Sequence, residues 1–192
     1  MPNGYTGKAA FCRQFVCTIL SLNKTRAEGF IIVQSTPRCA AEFSVLREKS
    51  MYYIQSESSF DSAHFLKGYE GKCSNLHGHR WRVIAQVRGE KLSEEKQTRG
   101  MLLDFGDLKA SLKEMCDALD HCLIYEAGSL RNKTVIALVE EGFHLVQVPF
   151  RPTAENFARF FCEELTARGF AASRTEVYET PTNCAIYEVG QD

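Results

Sequence analysis

Three of the five histidines in this chain fall within sixteen residues, at His64, His77 and His79. His77 and His79 are two apart, so on a β-strand both side chains share one face, with Trp81 and Val83. His64 follows a candidate first strand and reaches that face if the two strands pair. Three neutral imidazoles with a fourth position left open are the donor set of a catalytic zinc site. The spacing therefore predicts a metal on His64, His77 and His79, with zinc as the expected cofactor. Cys73 lies between them in sequence and has two roles open to it. It can close a structural Cys-His₃ site, or it can stay off the metal as a base or nucleophile, where Lys72 and a nearby dication would favour its thiolate. Spacing alone does not decide.

Two further features carry candidate chemistry. Leu119-Asp120-His121 sets a carboxylate beside an imidazole at the end of a predicted helix, an arrangement that supports proton transfer and also serves as an ordinary capping pair. Adjacent side chains on a helix do not face each other, so Asp120 need not bond to His121 directly. In Val177-Tyr-Glu-Thr180, Val177 and Glu179 share one face of a half-buried strand. A carboxylate there needs a partner. That partner is an internal Arg or Lys, or a flat ring with two adjacent N–H donors such as the edge of a pterin or guanine.

The elements that must position these residues are readable from Met51 onward. Residues 51–60 alternate roughly and read as a strand. Residues 79–89 alternate better, with Trp81, Val83, Ala85 and Val87 on one face. Residues 101–105 read as a short extended piece. Leu108, Leu112, Met115 and Leu119 recur at helical spacing over 106–119. Thr153 is a candidate N-cap for a second helix with a Phe157, Phe160, Phe161 and Leu165 stripe, and Gly169 lies just past its end. Residues 174–180 and 183–189 read as two strands around a Pro181–Asn183 turn. The expected fold is α+β: a four-stranded antiparallel sheet with two main helices on one face, in the order β-β-α-α-β-β. Residues 126–149 read as an insertion holding a short helix and a short extended run.

Composition excludes several classes. The chain has 192 residues, 44 % hydrophobic and 24 % charged, which is globular. Its 23 Lys and Arg against 24 Asp and Glu leave a net charge of −1, without the basic excess of a nucleic-acid binder. No apolar run approaches the ~20 residues of a membrane span. The eight cysteines are too irregularly spaced, in too long a chain, for a small disulfide scaffold. Reduced thiols in the cytoplasm are expected. Charge divides the chain, at +4 over residues 1–50 and −5 over 51–192. The expectation is an appended leader over 1–50 and a functional domain over 51–192.

Six ordered segments carry a resemblance: Phe60-Asp-Ser-Ala-His64, Lys72-Cys-Ser-Asn-Leu-His-Gly-His79, Leu103-Asp-Phe-Gly-Asp-Leu-Lys109, Leu119-Asp-His121, Pro152-Thr-Ala-Glu-Asn156 and Tyr178-Glu-Thr180. Together they resemble the 6-pyruvoyltetrahydropterin synthase / 6-carboxytetrahydropterin synthase family, from about Met51 to Val189. The three residues between Cys73 and His77 are similar to the bacterial carboxy type of queuosine and 7-deazaguanine biosynthesis, as is Asp104-Phe-Gly-Asp-Leu-Lys109. The resemblance implies a tunnelling fold (T-fold) and a homo-oligomer, typically a hexamer, with active sites at subunit interfaces. It implies zinc on His64, His77 and His79, catalysis by Cys73, Asp120 and His121, and a pterin anchor at Glu179. The implied reaction converts 7,8-dihydroneopterin triphosphate to 6-carboxy-5,6,7,8-tetrahydropterin, acetaldehyde and triphosphate. The implied partner is thus a small pterin triphosphate, with no nucleic acid and no membrane. The rival readings are a pyruvoyl-type synthase, a Cys-His-Asp hydrolase and a non-catalytic zinc-stabilised oligomer.

Overall fold

The computed structural model describes residues 50–190. The expected leader lies almost entirely outside the described residues. Strand β1 (Tyr52–His64) and strand β2 (His77–Gly89) are long, antiparallel and paired along their whole length. Their inward positions are the apolar ones: Phe60 on β1, and Trp81, Val83, Ala85 and Val87 on β2, are all at most 1 % exposed. Arg80 and Arg82 alternate with these and project to the opposite face, as a period of two demands.

Helix α1 (Phe105–Asp117) follows, then strand β3 (Cys122–Glu126), helix α2 (Asn132–Glu140), strand β4 (Leu145–Val148), helix α3 (Ala154–Ala167), strand β5 (Ala172–Thr180) and strand β6 (Asn183–Glu188). Asp104 caps α1, its carboxylate accepting from the Gly106 amide at 2.7 Å, so the Leu103–Lys109 segment is a helix start. Thr153 caps α3 as expected, accepting from the Asn156 amide. Helix α1 packs on β1, and α3 packs on β5 and β6. Leu108, Leu112, Phe157, Phe161 and Leu165 thereby join Phe60 and Trp81 in one core.

The sheet is larger than expected and mixed. Its strand order is β4-β3-β1-β2-β5-β6. The four expected strands form an antiparallel unit, but β3 adds to β1 in parallel and β4 adds to β3 in parallel. Among the described residues there are three helices, the two main ones expected and α2, which falls where a short helix was expected within 126–149. The segment read as an insertion is a β-α-β unit, with α2 as the crossover that parallel strands require. Two boundaries also move. Strand β1 runs on to His64, and β2 begins at His77. Residues 101–104 form no strand, and Phe105 opens α1. No helix among the described residues is long and apolar enough to cross a membrane.

Phe60 is the hub of the core. Its ring stacks on Trp81 at a centroid distance of 5.9 Å and meets Phe157 at 6.0 Å and Phe161 at 6.1 Å. Truncation here removes the atoms that join the sheet to α3. Phe60→Ala is expected to lower unfolding free energy by about 3–5 kcal/mol, read from urea denaturation midpoints at unchanged slope.

Candidate active site

The β1–β2 register sets the site. His64 lies opposite His77, Ser62 opposite His79 and Phe60 opposite Trp81. All these side chains emerge on the core face, so the aromatic core continues directly into a cluster of imidazoles. Ring centroids are 4.4 Å apart for His64–His77, 5.2 Å for His64–His79 and 5.0 Å for His77–His79. Gly78 permits this close pairing, since a Cβ there would sit 3.2 Å from the Ser62 carbonyl oxygen.

Two of the rings are oriented by backbone carbonyls. His64 Nδ1 lies 2.8 Å from the Pro152 carbonyl oxygen, and His77 Nδ1 lies 2.8 Å from that of Asn75. A carbonyl only accepts, so each Nδ1 carries the proton and each Nε2 presents a lone pair. The Nε2 atoms of His64, His77 and His79 are all sealed from solvent without a hydrogen-bond partner. Burial is also the main reason His64 is pushed down from 6.5 to about 4, with the neighbouring imidazoles adding to the shift and the Pro152 bond opposing it. His79 is lowered as well, first by burial, while Glu179 acts the other way. Both rings are therefore neutral at pH 7, the protonation state that binds a cation.

Glu179, on β5, completes the cluster. Its Oε1 lies 3.5 Å from His64 Nε2 and 3.6 Å from His79 Nε2. One donor atom from each of His64, His77, His79 and Glu179 lies within 4.8 Å of the others, a group that can hold a metal ion. Three buried Nε2 atoms without hydrogen-bond partners, facing a carboxylate, fit a divalent cation such as zinc. Of the two partners expected for Glu179, the Arg or Lys is not the one found in this cluster.

Cys73 lies outside that four-atom group. It sits half-buried on a 3₁₀ turn (Lys72–Ser74) and lines a cavity of about 260 Å³ together with Glu179, Thr153 and Glu155. Asp120 and His121 lie elsewhere, past the end of α1. There the two side chains do meet: His121 Nδ1 is 2.7 Å from Asp120 Oδ2. The helix stops at Asp117, and His121 takes a left-handed φ of 50°, which turns the two side chains together. The other Asp120 oxygen accepts from the Asp61 amide at 2.7 Å. That bond first, and the His121 bond second, hold the Asp120 carboxyl below the usual range. His121 is 80 % exposed in its side chain and faces a cleft of about 690 Å³ lined by His79, Leu76, Phe143 and His144. Within one chain, then, Cys73 and His121 open onto different cavities.

The residues that sequence reasoning missed act through their backbones. Pro152 and Asn75 orient two imidazoles with carbonyl oxygens, a role that leaves no mark on side-chain identity. Pro152 does begin the Pro152–Asn156 segment, whose visible signal is the helix cap at Thr153.

Comparison with known proteins gives a consistent result. The family model described as 6-pyruvoyl tetrahydropterin synthase matches residues 53–190. A protein of Haemophilus influenzae named 6-carboxy-5,6,7,8-tetrahydropterin synthase is 36 % identical over 141 residues, covering 72 % of this chain and 99 % of that protein. One of the same name from Synechocystis is 34 % identical over 128 residues, 60 % of this chain and 98 % of its own length. Among solved structures, the Plasmodium vivax 6-pyruvoyltetrahydropterin synthase superposes with a TM-score of 0.55 at 19 % identity, over 74 % of this chain and 99 % of that one. An uncharacterized protein of Wolinella succinogenes does so with a TM-score of 0.60 at 23 % identity, over 72 % and 98 %. At those identities the two structures speak for a shared fold. The match from residue 53 to 190, carried by sequence and architecture alike, makes this chain a member of the 6-pyruvoyl tetrahydropterin synthase family.

Proposed function

We propose that this chain is a zinc-dependent lyase, a 6-carboxy-5,6,7,8-tetrahydropterin synthase. Its substrate is 7,8-dihydroneopterin triphosphate, and its products are 6-carboxy-5,6,7,8-tetrahydropterin, acetaldehyde and triphosphate, as a cytoplasmic step of queuosine or 7-deazaguanine biosynthesis. The observation that carries the reading is the convergence of three unpartnered Nε2 atoms beside Glu179. The names of the relatives supply the pterin chemistry.

His64, His77 and His79 would hold the zinc, which when bound supplies a Lewis acid for the substrate's side-chain hydroxyls. Cys73 would remove a carbon-bound proton from that side chain, within the cavity it shares with Glu179. His121 would carry protons on the other side, with Asp120 fixing its Nδ1–H so that Nε2 is free to exchange. Glu179 would accept paired N–H bonds from the pterin ring. The separation of Cys73 from Asp120 and His121 within one chain supports a homo-oligomer in which neighbouring copies complete each site.

A second reading has an observation of its own. The short distances from Glu179 to His64 and His79 also suit a closed His₃-Glu site in a non-catalytic, zinc-stabilised oligomer. The proposal is tested by incubating the full chain with 7,8-dihydroneopterin triphosphate and following acetaldehyde with alcohol dehydrogenase. Acetaldehyde release that stops on chelation and returns with zinc is expected. Triphosphate release without acetaldehyde would establish the pyruvoyl-type synthase instead, and no turnover would favour the closed site.

Zinc content separates ligands from catalysts. His77→Ala is expected to lose most of its metal by elemental analysis. Cys73→Ala is expected to keep it and to lose turnover by ~10²–10⁴-fold. Zinc lost equally from both variants would make Cys73 a ligand. Glu179→Gln is expected to retain zinc while pterin binding weakens by about 1.5–3 kcal/mol. Loss of zinc from that variant would identify Glu179 as the fourth ligand.

A further inference from the structure

The turn that carries Cys73 is short and exposed, and its own hydrogen bonds are local. Ser74 donates to the Gly71 carbonyl through both its amide and its hydroxyl, and the Asn75 amide donates to Lys72. The Leu66 amide bonds the Cys73 carbonyl at 2.8 Å, closing the loop at its base. None of these bonds ties the turn to the helical layer. Among the described residues, one side-chain hydrogen bond joins the loop that leads into the turn to the segment before α3. Arg151, just before the start of α3, donates from Nη2 to the Lys67 carbonyl at 3.1 Å. Its guanidinium also lies over the Tyr69 ring, 5.9 Å from the centroid.

Tyr69 passes that constraint on. Its ring lies against Gly71, where a Cβ would fall 2.6 Å from Cε1. Gly71 is the cap of the 3₁₀ turn, and Tyr69 lines the same cavity as Cys73 and Glu179. A continuous contact path therefore runs from Arg151 through Tyr69 and Gly71 to Cys73. The Arg151 backbone is itself fixed, its carbonyl accepting from Thr153 N and Asn156 Nδ2. The next residue, Pro152, orients His64.

We infer that Arg151 and Tyr69 are positioning residues for Cys73, locking its turn to the Pro152 segment so that the thiol is held in fixed register with the His64 end of the metal cluster. The inference rests on the proposed catalytic role of Cys73. The test uses the full chain and two readouts. The first is the rate at which iodoacetamide alkylates Cys73, followed by mass spectrometry of its peptide. The second is kcat and KM for 7,8-dihydroneopterin triphosphate, with zinc content measured alongside.

Arg151→Gln and Tyr69→Ala are both expected to speed Cys73 alkylation by about three- to tenfold, because the turn opens more often. Both should lower kcat by about 10- to 100-fold with KM little changed and zinc retained. Tyr69→Phe keeps the ring and should restore both values. In a Cys73→Ala background, Arg151→Gln should remove no further activity. If Arg151→Gln does not fold, Tyr69→Ala, a change at an exposed side chain, carries the same measurement. Unchanged alkylation in these variants overturns the inference, as does zinc lost in step with activity, which would place the effect at His64. Absence of turnover in the unaltered chain would count against the proposed function alone, since alkylation still reports on the turn.

Discussion

The antiparallel register of β1 against β2 is the constraint on which the rest depends. It sets Phe60 opposite Trp81 and His64 opposite His77 in the same ladder. A slip of one residue would turn every side chain of one strand to the other face. The core would lose Phe60 and the cluster would lose His64 in a single event. The aromatic packing that α1 and α3 build on this sheet is thus also what assembles the imidazoles. Fold stability and site geometry are two consequences of one pairing.

The cluster is then prepared by its surroundings. Burial keeps His64 and His79 in the neutral form, and two carbonyls fix the tautomers of His64 and His77. Little reorganisation is left for the arrival of a cation, which is how outer partners tune a metal site. By contrast, Asp120 and His121 lie in an exposed turn whose shape depends on one left-handed residue and on bonds to Asp61. The part nearest the core is rigidly specified, and the part at the surface is held by a few directional bonds.

Much of this was legible in the sequence because it is periodic. His77, His79 and Trp81 share a strand face by simple alternation, and α3 announces itself through Thr153 and its phenylalanines. The extension of β1 to His64 was not legible, since Asp61, Ser62 and Ala63 interrupt the apolar signal while the ladder continues. Strand β3, of five residues, was missed, and β4, of four, was read only as a short extended run. In β3, Cys122, Ile124 and Tyr125 are all buried, so no clean alternation survives. Whether Asp120 and His121 touch was not legible, because the helix was expected to reach Leu119 and it ends two residues sooner. Glu179 was rightly placed on the face of Val177, but its neighbours come from strands a hundred or more residues away in sequence.

The stretch from Phe150 to Thr153 imposes an unusual kind of demand on sequence change. It acts on His64 through the Pro152 carbonyl and starts α3 through the Thr153 hydroxyl. A carbonyl belongs to every residue type, so what must persist at position 152 is the path of the backbone more than the identity of the side chain. Substitutions at position 152 that keep that path are compatible with the site. An inserted or deleted residue is not, because it would shift the carbonyl away from His64 Nδ1 and move the helix cap by about 100° around the α3 axis. Position 152 should therefore tolerate a change of side chain across evolutionary time, while the segment stays invariant in length.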